Sequence, residues 1–516
     1  MILKTRKVND GRWLVVFTGT VLMGTGWLLA LLFSEVNLLQ GLALVLAQAM
    51  LTFLALSVLL FGQTSPVAGP VVSQMMALHV LVYYGLSNVV PALLPSLRPQ
   101  ITVAMVGYRI PAAPVLSYAQ ATVAALLFLL GVALGSTIAR RLIPIKLNQS
   151  LRKGQRYVWL PDYRYSLAAT LFIFAIFVYG TVRYGLAFSN TLSGGQIASF
   201  SLSEQLLFHG LLPFLPVAPV LAASAYIQAT TSKQRSLTRN LLILITLGVL
   251  GGMLAWRMRS TAIIAAILPI VLLAYVGAIK QWRVFIAVAV LALFIYGGLT
   301  SVRSNLENNS AGDFSLNNLT AALMTVDVAA VSNRTLSDIS YRTAGLEGVA
   351  AIIDYQNRGL VELQLGSVTT AGFEQAMPAA LRSEFQNPKI VKTAPSYLGI
   401  FLPGDWVTTF LAELVLDYGA LWLFFPAVLA GLLLSALDAL LLRMGQVSAL
   451  RGLLALRVPF LLYPLTIGGS FSAMTLLFFK ATVGYLVMLL AVGFLVRLRM
   501  ARSSYKMTSR EAQVLL

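Results

Sequence analysis

Residues 115–139 read VLSYAQATVAALLFLLGVALGSTIA, a stretch without one charged side chain. A helix that crosses the hydrocarbon core of a bilayer needs about 20 mainly apolar residues, whereas a helix on a soluble domain keeps a polar face for water. This stretch has length enough to span and no polar face. The rest of the chain agrees. Of 516 residues, 58% are hydrophobic and 11% charged, against about 25% charged in a soluble globular protein. Mean hydropathy is +0.82. Such a chain cannot cover a water-facing surface, so its solvent is lipid. That excludes a soluble enzyme, a secreted disulfide scaffold and a disordered protein. Cysteine is absent and histidine occurs twice, which leaves no thiol nucleophile, no disulfide framework and little basis for a His-rich metal site.

Eleven further segments read as spans: 13–33, 38–60, 71–94, 165–182, 205–229, 240–256, 260–279, 284–299, 418–442, 458–473 and 474–496. The segment 458–473 carries Pro464 and Gly468–Gly469 and suits a broken or re-entrant helix. The first span is longer than the core of a cleaved leader and reads as a signal anchor. Lys and Arg placement orients the set. With the N-terminus in the cytoplasm, 24 of the 37 basic residues fall in cytoplasmic segments, chiefly 1–12, 140–164 and the tail 497–516. Of 18 acidic residues only Asp10, Asp162 and Glu511 fall there. Topology therefore accounts for most of the net charge of +19, and no nucleic-acid partner is needed. Both termini are expected in the cytoplasm.

The expected fold is an all-α polytopic membrane protein of about 12 transmembrane helices. Helices one to nine occupy 1–299, a large external loop 300–404, helices ten to twelve 405–496, and a basic tail 497–516. A connection as long as 300–404 is usually functional. Apolar residues at helical spacing predict helices over 318–331 and 343–355 within it. The chain has no internal repeat, no Walker A motif, no Asp-x-Asp, no His-Glu-x-x-His and no Gly-x-Ser-x-Gly. Those absences take support from a P-loop ATPase, a nucleotide-sugar enzyme gripping a metal-bound diphosphate, a metalloprotease and a serine hydrolase.

Charges that topology leaves over are the candidate site. Arg257 and Arg259 occupy a tight external hairpin in WRMRS (256–260), just before a helix start. Free N–H groups at a helix N-terminus and bidentate guanidinium forks both favour phosphate, so the pair suits a diphosphate clamp. Anchoring at lipid headgroups is the alternative. The loop adds Arg303, Arg334, Arg342 and Arg358, with Glu347 and Asp354 seven residues apart on one helical face. Glu413 and Asp417 lie four apart and share a face near the outer end of the tenth span. For all four carboxylates the alternative is an ordinary solvated charge. His209, near the outer end of the sixth span, and His79, mid-span, suit hydrogen-bonded packing. His209 also joins the candidate sugar- and diphosphate-binding set. Lys480 suits snorkelling toward the surface.

This layout resembles the bacterial polysaccharide repeat-unit polymerases, the Wzy-type O-antigen polymerases of the O-antigen ligase and polymerase superfamily. Two stretches carry the resemblance. LAWRMRSTAIIAAILPIVLLAY (254–275) is similar to that family's Arg-Ser/Gly helix start. GDWVTTFLAELVLDYGALWLFFPAVLA (404–430) is similar to its Glu, small-polar, aromatic-Gly pattern, here Glu413, Asp417, Tyr418 and Gly419. The residues before Glu413, FLPGDW (401–406), depart from the family's small and His-rich ones.

The resemblance implies a GT-C-like glycosyltransferase architecture in the bacterial inner membrane. It implies a substrate of undecaprenyl-diphosphate-linked oligosaccharide, membrane lipid around it, and a chain-length regulator as possible partner. No cofactor and no metal ion is expected. Arginines would stabilise the leaving diphosphate and a carboxylate would deprotonate the attacking sugar hydroxyl. The related ligases use a loop histidine, and 300–404 contains none. Three other readings compete: a ligase with a lipid or protein acceptor, a flippase that moves lipid-linked sugar without chemistry, and a structural subunit of a synthesis complex, such as a chain-length regulator. A flippase wants charges along a path through the membrane, and here they gather at the outer mouth.

Overall fold

A computed structural model of the protein describes residues 2–32, 36–61, 71–85, 113–143, 160–184, 215, 217–255, 269–270, 272–273, 276, 345–370 and 409–444. The described residues are helical with no strand among them. Ten helices are used here: α1 (Ile2–Leu32), α2 (Leu38–Phe61), α3 (Val72–Val80), α4 (Val115–Leu142), α5 (Tyr163–Tyr184), α6 (Val217–Gln228), α7 (Ser232–Ala255), α8 (Gly345–Asn357), α9 (Phe410–Trp422) and α10 (Phe424–Met444). α3 runs directly into a π-helical turn, Leu81–Gly85. Five segments are long and apolar enough to cross a membrane: Arg12–Leu32, Leu38–Phe61, Val115–Leu142, Tyr163–Gly180 and Phe424–Met444. Large apolar side chains such as Leu14, Phe17, Leu22, Leu39, Leu46, Leu429 and Leu433 stand exposed along these helices. That is costly in water and costless in lipid, so the chain is a membrane protein.

The described chain forms two units. The first contains α1–α4, α8, α9 and most of α10; the second contains α5–α7. In the first, α2 packs against α1, α3 and α4, and α8 packs against α4, α9 and the π turn. Lipid tails are as apolar as leucine, so helices in a bilayer associate by close packing rather than by escape from water. α4 supplies this with small residues. Its buried face includes Ser117, Ala121, Ala124, Ala125, Gly131, Gly135 and Ser136. A Cβ on Gly131 would lie 2.8 Å from the Phe424 carbonyl and from the Ala427 Cβ, and one on Gly135 would strike the Val428 carbonyl. α4 and α10 therefore touch backbone to backbone, and the Ser435 hydroxyl bonds that of Ser136 at 2.7 Å. In the second unit α6 packs on both α5 and α7, and the hydroxyls of Ser166 and Ser224 meet at 3.2 Å.

The expected spans 13–33, 38–60, 115–139 and 165–182 each fall on one long helix, and 240–256 falls on α7, which starts earlier, at Ser232. Span 71–94 is described as far as Gly85 and span 205–229 over α6. The span expected over 418–442 needs correction. Its backbone breaks at Gly419, with φ 74° and ψ 174°, and the spanning helix starts at Phe424. A left-handed glycine ends one helix, and Pro426 sits in the first turn of the next, where its missing N–H is not needed. Spans 284–299, 458–473 and 474–496, most of 260–279, and the loop helix expected over 318–331 lie outside the described residues, as does Lys480.

The loop helix expected over 343–355 is α8. Leu346 through Asp354 are all buried, nine positions in a row. A helix buried on every side is a core element, so the picture of a solvated amphipathic loop helix fails here.

Candidate functional site

Four of the candidate carboxylates lie on α8 and α9, which pack together. Glu347 is 4% exposed, Asp354 8%, Glu413 2% and Asp417 0%. None is the solvated surface charge that residue type alone suggests. Burying a carboxylate is expensive unless it is hydrogen-bonded or paired, so each requires an account.

Asp417 has a full one. Its Oδ1 accepts from the Val368 backbone N–H at 2.9 Å, and its Oδ2 accepts from the Thr369 N–H at 2.9 Å and the Thr369 hydroxyl at 2.5 Å. The two N–H groups open the helical turn at 367–370, so the carboxylate caps that turn as an N-cap side chain would. The backbone just before it bends to fit: Leu365 and Gly366 take φ of 49° and 91°. Their segment docks through Gln364 N–H to the Leu416 carbonyl and Leu365 N–H to the Asp417 carbonyl. Asp354 is also accounted for. Its Oδ2 lies 2.9 Å from Arg358 Nη2, one helical turn on. Two amides complete this end of the helix pair: Gln356 donates to the Val415 carbonyl at 3.0 Å, and Asn357 donates to Gln120 of α4 at 2.9 Å.

The opposite end of α8 and α9 differs. Both helices begin there, and each carries a buried glutamate in its first turn, Glu347 and Glu413. The two N-termini meet at the π turn. A Cβ on Gly345 would lie 3.2 Å from the Tyr83 carbonyl, 3.2 Å from Tyr84 Cε1 and 3.5 Å from Thr409 Cγ2. Thr409 caps α9, its hydroxyl accepting from Ala412 N–H at 3.2 Å. The first-turn glutamates complement the partial positive charge of these helix ends.

Tyr84 lies between the two ends, fully buried, beside Thr409 and within electrostatic reach of Glu413. Its hydroxyl interacts with the Thr409 side chain, outside strict hydrogen-bond geometry. Its main chain, by contrast, is held tightly. The Gln48 amide donates to the Tyr84 carbonyl at 3.2 Å and to the Thr122 hydroxyl at 2.9 Å. A π turn leaves carbonyls off the regular ladder, and Gln48 takes one of them. His79 packs its ring against Tyr83 and Tyr84, with centroids 4.6 and 5.9 Å away.

The site lies inside the bundle, level with Gln48 in α2 and Thr122 in α4. Along α4 it occupies the half near Val115, while Arg140 and Arg141 close the other end. Arg12 of α1 belongs with that other end: it donates to the Leu60 carbonyl near the end of α2, just before the start of α3, where Arg140 reaches Ser73.

Arg358 is the one candidate arginine among the described residues, and it serves Asp354. Arg257, Arg259, Arg303, Arg334, Arg342 and His209 lie outside them. Sequence reasoning did not single out Tyr84, Thr409, Gln48 or Thr122. A mid-span glutamine was the available signal, since a polar group at bilayer depth needs a partner or a function. No protein-family model, no curated protein and no solved structure matches the chain.

Proposed function

We propose that the chain is a twelve-span glycosyltransferase of the bacterial inner membrane that joins undecaprenyl-diphosphate-linked oligosaccharide repeat units on the outer face. Both termini are cytoplasmic in this reading. Glu413 is the general base that takes the proton of the attacking sugar hydroxyl. Arg257 and Arg259, with Arg303, Arg334 and Arg342, carry the charge that develops on the leaving lipid diphosphate, so that no metal ion is required. Asp417 and Asp354 hold the fold of the site, and Glu347 lies in the first turn of the neighbouring helix.

One observation carries the reading: a buried glutamate, Glu413, in the first turn of a helix whose N-terminus meets a second helix N-terminus and a buried phenol. A carboxylate withdrawn from bulk water, with hydroxyls as neighbours, is placed for proton transfer. The placement within the first unit adds support. The site occupies the end of α4 away from Arg140 and Arg141, and the positive-inside rule puts those arginines in the cytoplasm. The pieces of chain that follow the π turn and precede Thr409, 86–112 and 371–408, fall largely in segments that the charge pattern puts outside.

The test is reconstitution. Purified protein in liposomes receives lipid-linked repeat units and neither nucleotide nor divalent cation. The reading expects glycans longer than one unit. Intact repeat units crossing the bilayer without growing would replace it with the flippase, and transfer only to a lipid core or protein acceptor would replace it with the ligase.

A further inference from the structure

We infer that Gln48 is a positioning residue for this reaction: its side-chain amide locks the π turn at Leu81–Gly85, and the locked turn sets where the start of α9, and with it Glu413, stands. The inference rests on the function proposed above, in which Glu413 is the base, and it assigns a residue that the resemblance does not supply.

Both N–H groups of the amide are committed. Gln48 lies mid-helix in α2 and is fully buried. Its Nε2 donates to the Tyr84 carbonyl at 3.2 Å and to the Thr122 hydroxyl oxygen at 2.9 Å. Thr122 gives its own proton to the Tyr118 carbonyl at 2.9 Å, so only its lone pairs face Gln48. That direction fixes which way the amide points, since a flipped amide would set its oxygen against the Thr122 oxygen. A polar side chain at bilayer depth needs a partner or a function. This one joins three elements: it stands on α2, bonds α4 and holds the turn that follows α3.

The chain of contacts continues to the base. The Tyr83 carbonyl, Tyr84 Cε1 and Thr409 Cγ2 crowd one point beside Gly345, 3.2, 3.2 and 3.5 Å from where a Cβ would stand. The Tyr84 hydroxyl also meets the Thr409 side chain. Thr409 caps α9: its hydroxyl accepts from Ala412 N–H at 3.2 Å and its carbonyl from Glu413 N–H at 3.1 Å. Every link from Gln48 to the Glu413 backbone is therefore a direct contact. A π turn leaves carbonyls off the α ladder, and the hydrocarbon core holds no water to take one. Without the amide, the turn gains by relaxing toward the regular ladder. That rotates Tyr83 and Tyr84 about the helix axis and frees Thr409 from its seat. Catalysis is sensitive to such shifts: a misplacement of about 1 Å costs on the order of a hundredfold.

The test is a double-mutant cycle with full-length protein in proteoliposomes, supplied with labelled lipid-linked repeat units extracted from membranes of a strain that lacks the protein. Wild type, Gln48→Met, Glu413→Gln and the double variant are assayed for chain growth per folded molecule, with melting curves alongside. Methionine keeps the length of glutamine and removes both donors. Gln48→Met should lower kcat about tenfold and leave KM for the repeat unit within about twofold. In the Glu413→Gln background the same substitution should cost less than about twofold, because a base that is gone cannot be misplaced. Thr122→Val, which removes only the far partner of the amide, should show the same pattern with a smaller loss. Two results overturn the inference while the proposed function stands. One is wild-type kcat in Gln48→Met. The other is a loss that recurs in full in the Glu413→Gln background, the mark of a general loosening. If Gln48→Met fails to fold, Thr122→Val decides by the same cycle. If wild type grows no chains, the proposed function fails and takes the inference with it.

Discussion

The two ends of the α8–α9 pair use the same residue types for opposite purposes. At the end holding Asp354, Gln356 and Asp417, every one of these side chains has a named partner, and the backbone at Leu365 and Gly366 is bent to deliver it. At the end holding Glu347, Glu413 and Thr409, two helix starts converge on a buried phenol beside the Thr409 side chain. Burial alone does not separate the ends, because all four carboxylates are buried. What separates them is their place: Asp417 closes on the bent 365–370 segment, whereas Glu347 and Glu413 stand in the first turns of two converging helices. At the first end the carboxylate is architecture, and its loss is a loss of stability. The proposed function assigns the chemistry to the second.

That contrast can be broken by measurement. The largest stability effect is expected at Asp417→Ala. It strands two backbone N–H groups and a hydroxyl in the interior, and should cost about 3 kcal/mol or more, since removing one partner leaves the others unpaid for their desolvation. Denaturation of the purified protein in detergent reads this, and a loss below about 1 kcal/mol would mean that the 365–370 segment is not held by the carboxylate. Gly366→Val comes next. A valine there must adopt a φ of 91° and bring its Cβ to 3.0 Å from the Tyr418 hydroxyl, for a cost of about 2 kcal/mol. A melting curve indistinguishable from wild type would show that the turn is not left-handed. Arg358→Ala should be the mildest. The arginine is 58% exposed, and ion pairs open to solvent contribute about 0–1 kcal/mol. A drop beyond that would place the pair in a more enclosed setting and add Asp354 to the tightly coupled residues.

Much of the fold was legible from residues. α1, α2, α4 and α5 follow continuous apolar runs, for which length and lack of charge decide the matter. α8 was legible as a helix and illegible as a core element. Glu347 and Asp354 read as surface charges, and only the packing of α4, α9 and the π turn around them reverses that. The break at Gly419 was partly visible, since glycine followed by Pro426 is a stop-and-start signal, but the apolar stretch from Leu421 to Phe425 masks it. For the site, the sequence offered Glu413 as the base, with Asp417 assisting from the same face. It could not show that Asp417 is occupied, because its donors come from Val368 and Thr369, nearly fifty positions earlier. Tyr84 was hidden altogether. LVYYG (81–85) is an apolar run like any other until its backbone takes the π turn.

The central claim, that chemistry belongs to the end of Glu413 and architecture to the end of Asp417, is tested most directly by chain growth per folded molecule in an amide panel. Glu413→Gln, Glu347→Gln, Asp354→Asn and Asp417→Asn are reconstituted at matched folded protein and supplied with lipid-linked repeat units. An amide keeps the shape of the side chain and removes its basicity. Glu413→Gln should melt near wild type and lose at least about a hundredfold in chain growth, the scale of a general base. Asp417→Asn and Asp354→Asn should grow chains in proportion to the protein that remains folded. Wild-type chain growth by Glu413→Gln, with a well-folded Asp417→Asn or Asp354→Asn inactive, would contradict the account.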